Sequence, residues 1–591
     1  MDNQIASVGN IDSDKIFDDI EHHFRISAGP GAGKTHWLVN HIKQVLHRSE
    51  RLGKCRKIAC ITYTNTGVEI IQNRLGSSAN QVDVSTIHSF LYRHIIKPYM
   101  HFIADEFGFN TAKLDGHDDF IVSKGKCLQW LKEHQNSSLI KKEINNNQLH
   151  GLYITGLIEW LSTISCKFDD KDGLYFYFKK KLSIHNYRKE ALKALQKYPN
   201  IFVDQPIKFK AIYWRDGIMH HDDVLFFSFK IIEKYPFVLD IVRAKFPYFF
   251  VDEFQDSNPI QVEILRKIGQ SETVVGIIGD KAQSIFGFQG AEAEQFEQFT
   301  LAGIKDYIIC NNRRSTRQII DFLNHVRSDL TQQGQDDFYG NKPIIYVGDR
   351  LEIISHIKNE LGNEILTTLS WKNITANALK KETESKDLND ELLDDFFNKY
   401  DNNSSRYRLV VPCIKAIELC REKKIKEALK ELKRYFGSDN EGKKCALELL
   451  FAMNSHYDKY YDDTLMTFYQ TLKSCSGISG LSGFKSGKPK DFYDNTSYKN
   501  LALCVNIVED QSNNITIHKS KGNEFDNVLL VLENEKDISF IISPKLDSEE
   551  SRLKYVAISR AIKNLYISVP AIHKKELNQL QQLEIVEVIK C

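Results

Sequence analysis

Eight residues, Ala28-Gly29-Pro30-Gly31-Ala32-Gly33-Lys34-Thr35, have the types and order needed to hold the phosphate tail of a nucleotide. Gly29, Gly31 and Gly33 let the backbone curl so that its N–H groups face phosphate oxygens. Lys34 would reach the β- and γ-phosphates and the Thr35 hydroxyl would hold Mg²⁺, with His36 beside them. A glycine-rich turn without a ligand is the plain alternative. The Lys34-Thr35 pair in its required place argues against it. The first glycine usual in such a loop is Ala28 here.

A second tract complements the first. Tyr248–Val251 is apolar and runs into Asp252-Glu253-Phe254-Gln255-Asp256. Acids at the end of a buried strand, opposite a phosphate loop, have a chemical use. Asp252 would hold Mg²⁺ through its water shell, since Mg²⁺ takes few carboxylates and keeps waters and phosphates. Glu253 would orient and deprotonate an attacking water. A bare Asp-Glu pair means little; this five-residue tract behind such a strand is specific. Two further tracts, Thr62-Tyr63-Thr64-Asn65 and Ser85-Thr86-Ile87-His88-Ser89-Phe90, offer hydroxyls, an amide and aromatics suited to sugar–phosphate contacts and base stacking. Taken alone, the first reads as a turn and His88 as a structural histidine.

The positioning elements follow from periodicity. Phe24–Ser27 predicts a short strand, and Leu38, Ile42, Val45 and Leu46 predict a helix from about Gly33. Ile58–Ile61, Val82–Val84, Val274–Ile278 and Val528–Leu532 predict buried strands. Val68, Ile71 and Leu75 predict a helix between the first two. A helix is also expected over Ile417–Tyr435, a surface segment over Glu382–Asn403 and a loop over Ser476–Lys490. Residues 96–205 read as a helical insertion anchored by Trp130, Leu131 and residues 157–161. Its basic last third (Lys179, Lys180, Lys181, Arg188, Lys189, Lys193, Lys197) is either a solvated face or a track for a nucleic-acid backbone.

Composition narrows the class. The chain has 591 residues, 79 Lys+Arg and 78 Asp+Glu, so a nucleic acid would be held by local basic surfaces rather than a global field. Eleven scattered cysteines without CxxC pairs suit reduced thiols in a cytoplasmic protein; Cys413 and Cys420 read as core. No apolar run is long enough to span a bilayer, so no membrane partner is expected.

Phosphate loop, Thr-Tyr-Thr-Asn, Ser-Thr-Ile-His-Ser-Phe and Asp-Glu-Phe-Gln-Asp, in that order, resemble the UvrD/Rep-like superfamily of DNA helicases. The resemblance extends to Gly279–Ala291, Asn312–Thr316, Ile515–Asp526 and Glu549–Ala561. It implies an α/β fold of two RecA-like P-loop NTPase cores with parallel sheets, each carrying a mostly helical inserted subdomain. The expected boundaries are 1–95 and 206–308 for the first core, with 96–205 inserted, and 309–350 and 506–591 for the second, with 351–505 inserted. The resemblance further implies that ATP and Mg²⁺ sit between the cores. Gln283 would sense the γ-phosphate, Arg314 and Arg560 would reach it, and Glu524 would touch the nucleotide sugar. Phe286 and Phe288 would stack single-strand bases, and Thr516 and His518 would meet the backbone of single-stranded or tailed duplex DNA. It implies 3′→5′ movement.

Departures accompany the match. Gln289 stands where the family often has arginine, and Arg313 replaces the tyrosine that stacks on adenine. No adenine-reading glutamine motif precedes the phosphate loop, where Gln4 is the only glutamine. Relaxed use of other NTPs or dNTPs is the expectation. Little chain follows Arg560, only a short helix and strand over Ala571–Cys591, so no nuclease domain is expected there. The compact form resembles helicase subunits of bacterial anti-phage systems of the Gabija type, which work with an OLD-type (ATPase–Toprim) nuclease. A stand-alone repair helicase and a nucleotide-gated DNA sensor that does not unwind are the alternatives.

Overall fold

The structure is a computed structural model. It describes residues 9–591 except 119, 121, 135–157, 159, 170, 172, 180–204, 288–289, 383–391, 397–399, 402–403, 437–439, 476–480, 482, 485 and 506–511. Two parallel sheets organise it. The first contains β1 (Gly9–Asn10), β2 (Phe24–Ala28), β3 (Ile58–Thr62), β4 (Val82–Thr86), β7 (Tyr248–Val251), β8 (Val274–Gly279) and β9 (Lys305–Ile309), in the order β1-β9-β2-β8-β7-β3-β4. Strands β3, β7 and β8 are buried along their whole length, the pattern of a parallel sheet covered on both faces. Gly276 in β8 has a packing reason: a Cβ there would lie 2.1 Å from the Phe24 ring on β2. The helices α1 (Lys34–Arg48) and α2 (Asn65–Leu75) follow β2 and β3, where the apolar periodicity places them.

Between β4 and β7 runs the first insertion. It includes the helices Lys124–Glu133, Gln205–Trp214 and His221–Lys234. It also holds an antiparallel pair, β5 (Ile164–Asp169) and β6 (Gly173–Phe178), in a region read as helical. The signal was a period of two: Leu174 and Phe176 are buried while Tyr175 and Tyr177, alternating with them, are only half-buried. Asp222 ties the pair to the helix His221–Lys234 by accepting from Ser165 Oγ (2.8 Å) and Cys166 N (3.1 Å). Of the basic run, only Lys179 lies within the described residues.

A short parallel pair, β10 (Asn311–Asn312) and β11 (Gln333–Gly334), leads into the second core. Its sheet uses β12 (Ile344–Val347), β13 (Leu366–Ser370), β14 (Asn514–Thr516), β15 (Phe525–Val531), β16 (Ala561–Val569) and β17 (Glu587–Lys590). The order is β14-β13-β15-β16-β12-β17, all parallel. The second insertion lies between β13 and β14. The single helix expected over Ile417–Tyr435 is in fact two, Ser404–Arg421 and Ile425–Phe436. The chain reverses at Lys423 (φ 64°), where Lys423 N and Lys424 N donate to Cys420 O and Leu419 O and close the first helix. Most of Glu382–Asn403, and part of Ser476–Lys490, fall outside the described residues. The described end of the latter opens a helix at Lys488. The short helix and strand expected after Ala571 are Lys574–Gln581 and β17.

One segment crosses the division. Asp280–Phe286 follows β8 of the first core, yet Ala282 and Ile285 are buried in the second core's apolar cluster, with Ile319, Phe322, Leu323 and Val556. No disulfide or cluster of metal-ligating side chains occurs among the described residues, and no helix there is long and apolar enough to cross a membrane.

Candidate active site

The phosphate loop closes one side of a cleft between the two sheets. Gly31 and Gly33 have φ of 70° and 80°, the left-handed region open to glycine. At Gly31 a Cβ would also meet Asn312 Oδ1 at 2.3 Å, because the second core lies directly over the loop. Gln332 Nε2 donates to Pro30 O (2.7 Å) and Arg313 N to Gly31 O (2.9 Å). Ala28 is the last residue of β2 and buried, a place where a small side chain fits without glycine's freedom. Lys34 is buried, its Nζ donating to Ala28 O (3.3 Å) and Gly29 O (3.2 Å) across the mouth of the loop. Ala32 lies beneath, and His36, on the first turn of α1, bonds Asp14 (3.1 Å) and Asn40 (2.9 Å).

The acids lie opposite. Thr35 Oγ1 donates to Asp252 Oδ2 at 3.0 Å, so the two oxygens intended for Mg²⁺ are adjacent. Burial and the neighbouring Glu253 push the Asp252 carboxyl up. An all-oxygen pair beside a phosphate loop fits a hard divalent cation. Glu253 has left-handed backbone (φ 55°, ψ 39°), a conformation that costs a non-glycine residue of order 1–3 kcal/mol and turns its side chain out of the strand direction. Burial alone would raise its pKa. Lys34 and Lys521 outweigh that, and the carboxylate stays ionised, as a base must. Gln255 Nε2 donates to Glu253 Oε2 at 2.5 Å, and Gln255 Oε1 accepts from Asp280 N at 2.9 Å.

From the second core come the arginines. Arg560 is 2% exposed, just past the helix Glu549–Ile558, and its Nη2 donates to Gln283 Oε1 (2.9 Å). Burial and the adjacent Arg314 push its pKa down to about 9. The mutual repulsion of these two guanidiniums is one that a bound anion would relieve. Arg314 Nε donates to Glu524 Oε2 (2.7 Å) and its Nη1 to Ser559 O (3.1 Å), so Glu524 partners an arginine in the cleft wall. Lys34, Thr35, Glu253, Gln283, Arg314 and Arg560 all line this one cleft.

The opposite rim carries the aromatics. Tyr63 stacks on Phe286, ring centroids 4.7 Å apart, and His518 lies 6.4 Å from Phe286. Lys521 Nζ sits 4.8 Å over the Phe286 ring while bonding Asp256 Oδ2 (2.5 Å) and Gln283 O (2.8 Å). Thr64 and Asn65 are exposed, with Thr64 capping α2. Thr62 and Thr516 are buried at strand ends, below the rim. His88 packs against His221 (5.2 Å) and His117 (6.3 Å); burial and these neighbours push its pKa down to about 3, so it is uncharged. Phe288 lies outside the described residues.

Family models agree with this geometry over most of the chain. The UvrD/REP helicase N-terminal domain matches residues 10–302 and the UvrD-like helicase C-terminal domain residues 308–571. The chain is a UvrD-like DNA helicase. Among its relatives is the Gabija protein GajB of Bacillus cereus, 24% identical over 92% of each chain. The ATP-dependent DNA helicase PcrA of Staphylococcus aureus is 23% identical over 92% of this chain and 80% of its own. The ATP-dependent DNA helicase srs2 of Schizosaccharomyces pombe is 26% identical over 50% of this chain and 32% of its own. As a family member the protein is an ATPase that acts on DNA.

Residue patterns alone missed several parts of this helicase's cleft. Asp12 and Asp14 grip Arg313 at 2.6 and 2.5 Å, beside the loop. Lys521 belongs to the matched Ile515–Asp526 tract, and that match was the available signal for it. Away from that cleft, Ser370 ends β13 next to Thr516 in the sheet, and Trp371 after it is exposed. Its signal was an aromatic and a cation directly after a buried strand.

Proposed function

We propose that this helicase is a single-stranded DNA translocase driven by Mg²⁺-dependent hydrolysis of a nucleoside triphosphate in the cleft, moving 3′→5′ along DNA. One observation carries the reading: Lys34, Thr35, Asp252, Glu253 and Gln283 of the first core converge with Arg314 and Arg560 of the second. Such a site hydrolyses only when the cores close, and the closure is available as mechanical work. Thr35 and Asp252 would hold Mg²⁺. Tyr63 and Phe286 would form the base platform, with Asn65, Thr64 and His518 along the same strand path. The insertions are taken between the strands that flank them, β4 to β7 and β13 to β14, rather than over 96–205 and 351–505, because β13 belongs to the second sheet; both would serve the DNA.

Base selection is relaxed in this reading. Arg313, in the place of a stacking tyrosine, is occupied by Asp12 and Asp14, which supports use of NTPs and dNTPs besides ATP. The likeness to GajB along 92% of both chains supports a bacterial anti-phage role in the cytoplasm, beside an OLD-type nuclease that does the cutting.

The test is hydrolysis of ATP, GTP, CTP, UTP and dATP with and without single-stranded DNA. Stimulation by DNA is expected. Glu253→Gln should lower turnover by ~10²–10⁴-fold while nucleotide still binds. Strict ATP use would remove relaxed base selection. Hydrolysis without unwinding of a tailed duplex would favour a sensor over a motor.

A further inference from the structure

We propose that Arg327 is a positioning residue for hydrolysis: through a buried ion pair with Asp280 it lets the second core set the side chains that flank the γ-phosphate site. The proposal deepens the cleft reading above and rests on it.

Arg327 caps the helix Arg317–Val326 of the second core. Its Nη1 lies 2.7 Å from Asp280 Oδ1, with the two side chains 4% and 0% exposed. Asp329 holds the other edge of the guanidinium (Nε 2.7 Å, Nη2 3.0 Å), and the Tyr555 ring lies 5.7 Å away. The charge is thus fixed in direction and shielded from water, the setting in which removing one partner is felt most.

Asp280 is the branching point. Its Oδ2 accepts from Gln283 Nε2 (2.6 Å), and Gln283 Oε1 accepts from Arg560 (2.9 Å). That fixes which end of the Gln283 amide faces which partner. Its backbone N–H donates to Gln255 Oε1 (2.9 Å), and Gln255 holds Glu253. A Cβ on Gly279 would lie 2.6 Å from Gln255 Oε1, so the chain approaches this amide as closely as it can. One residue therefore orients both glutamines: its carboxylate holds Gln283 beside the γ-phosphate site, and its backbone N–H holds Gln255, which aims the base.

The second core grips the same segment elsewhere. Arg552 Nε donates to Ser284 O (2.7 Å) and Lys521 Nζ to Gln283 O (2.8 Å), while Ala282 and Ile285 are buried among second-core side chains. Asp280–Phe286 is held as a part of the second core, and Arg327 supplies the ion pair to Asp280. Loss of that pair frees Asp280 and blurs Gln283 and Gln255, but leaves Lys34 and Thr35 untouched.

The experiment compares the full-length wild type with Arg327→Ala, Arg327→Lys and Asp280→Asn. Steady-state hydrolysis is measured with single-stranded DNA, and binding of fluorescent ADP and of a non-hydrolysable ATP analogue is measured without turnover. Arg327→Ala should lower kcat by roughly 10–100-fold and raise KM in step with a weaker hold on the γ-phosphate. Affinity for the analogue should fall towards that for ADP, with ADP binding unchanged. Arg327→Lys should restore part of kcat. A folded Arg327→Ala with wild-type kcat and wild-type preference for the analogue overturns the proposal. So does equal loss of ADP and analogue binding, which means general damage. Should Arg327→Ala not fold, the isosteric Asp280→Asn decides on the same readouts. If wild type itself fails to hydrolyse, the functional reading falls, and the ADP-against-analogue comparison still tests Arg327.

Discussion

Single residues in the first core were tuned by burial as much as by contact. His41 is fully buried on α1, stacked 4.8 Å from Trp37, and burial pushes its pKa down to about 3. The unfolded chain takes up its proton near pH 6.5, the folded chain near 3. This histidine's contribution is therefore complete above pH 6.5 and is lost as pH falls towards 3, by up to about 1.4 kcal/mol per unit. Urea unfolding at pH 7.0 and 5.5 should show the loss, and His41→Leu should flatten the pH dependence. An unchanged slope in that variant would place the acid sensitivity elsewhere. At this scale the chemistry was legible where neighbours in sequence carry it, as in Gly29–Thr35 and Asp252–Glu253. It was not legible where partners are far apart: Arg327 with Asp280, Lys521 with Asp256, and Arg313 with Asp12 and Asp14 are made by the fold.

Elements were read well where one periodicity held. The strands β3, β7, β8 and β15 and the helices α1 and α2 fall where uniform apolar runs and 3.6-residue spacing put them. The hairpin β5–β6 was hidden because a period of two lasted only a few residues inside a helical region. The split at Lys423 was hidden because left-handed lysine has no marker in sequence. Strand ends also carry the rim: β3 presents Tyr63, and the turn after β8 presents Phe286. Phe286→Ala should weaken binding of a short single-stranded oligonucleotide by about 1–3 kcal/mol, with little dependence on its sequence. DNA-independent hydrolysis should stay near wild type. Fluorescence anisotropy at fixed salt checks the first and a coupled ATPase assay the second; equal affinity would remove this ring from the platform.

For the whole molecule, two sheets meet at one polar cleft and are joined both by charge, with Lys521, Arg552, Arg560 and Arg327 reaching into Asp280–Phe286 and Asp256, and by Ala282 and Ile285 buried in the second core's apolar cluster. The two family models meet between residues 302 and 308, as if the chain were two blocks in a row. The strand β9 contradicts that simple division. It starts at Lys305 yet lies inside the first sheet, paired to β1 on one side and β2 on the other. The halves are joined like interlaced fingers rather than stacked bricks. An N-terminal piece ending at residue 302 would leave β1 and the flank of β2 unpaired and should be poorly soluble, whereas a piece ending at 312 keeps the sheet and should melt at a higher temperature. A cut at the apparent border would thus fall through a sheet, and any exchange of halves between related helicases has to cross after β9 to leave both intact.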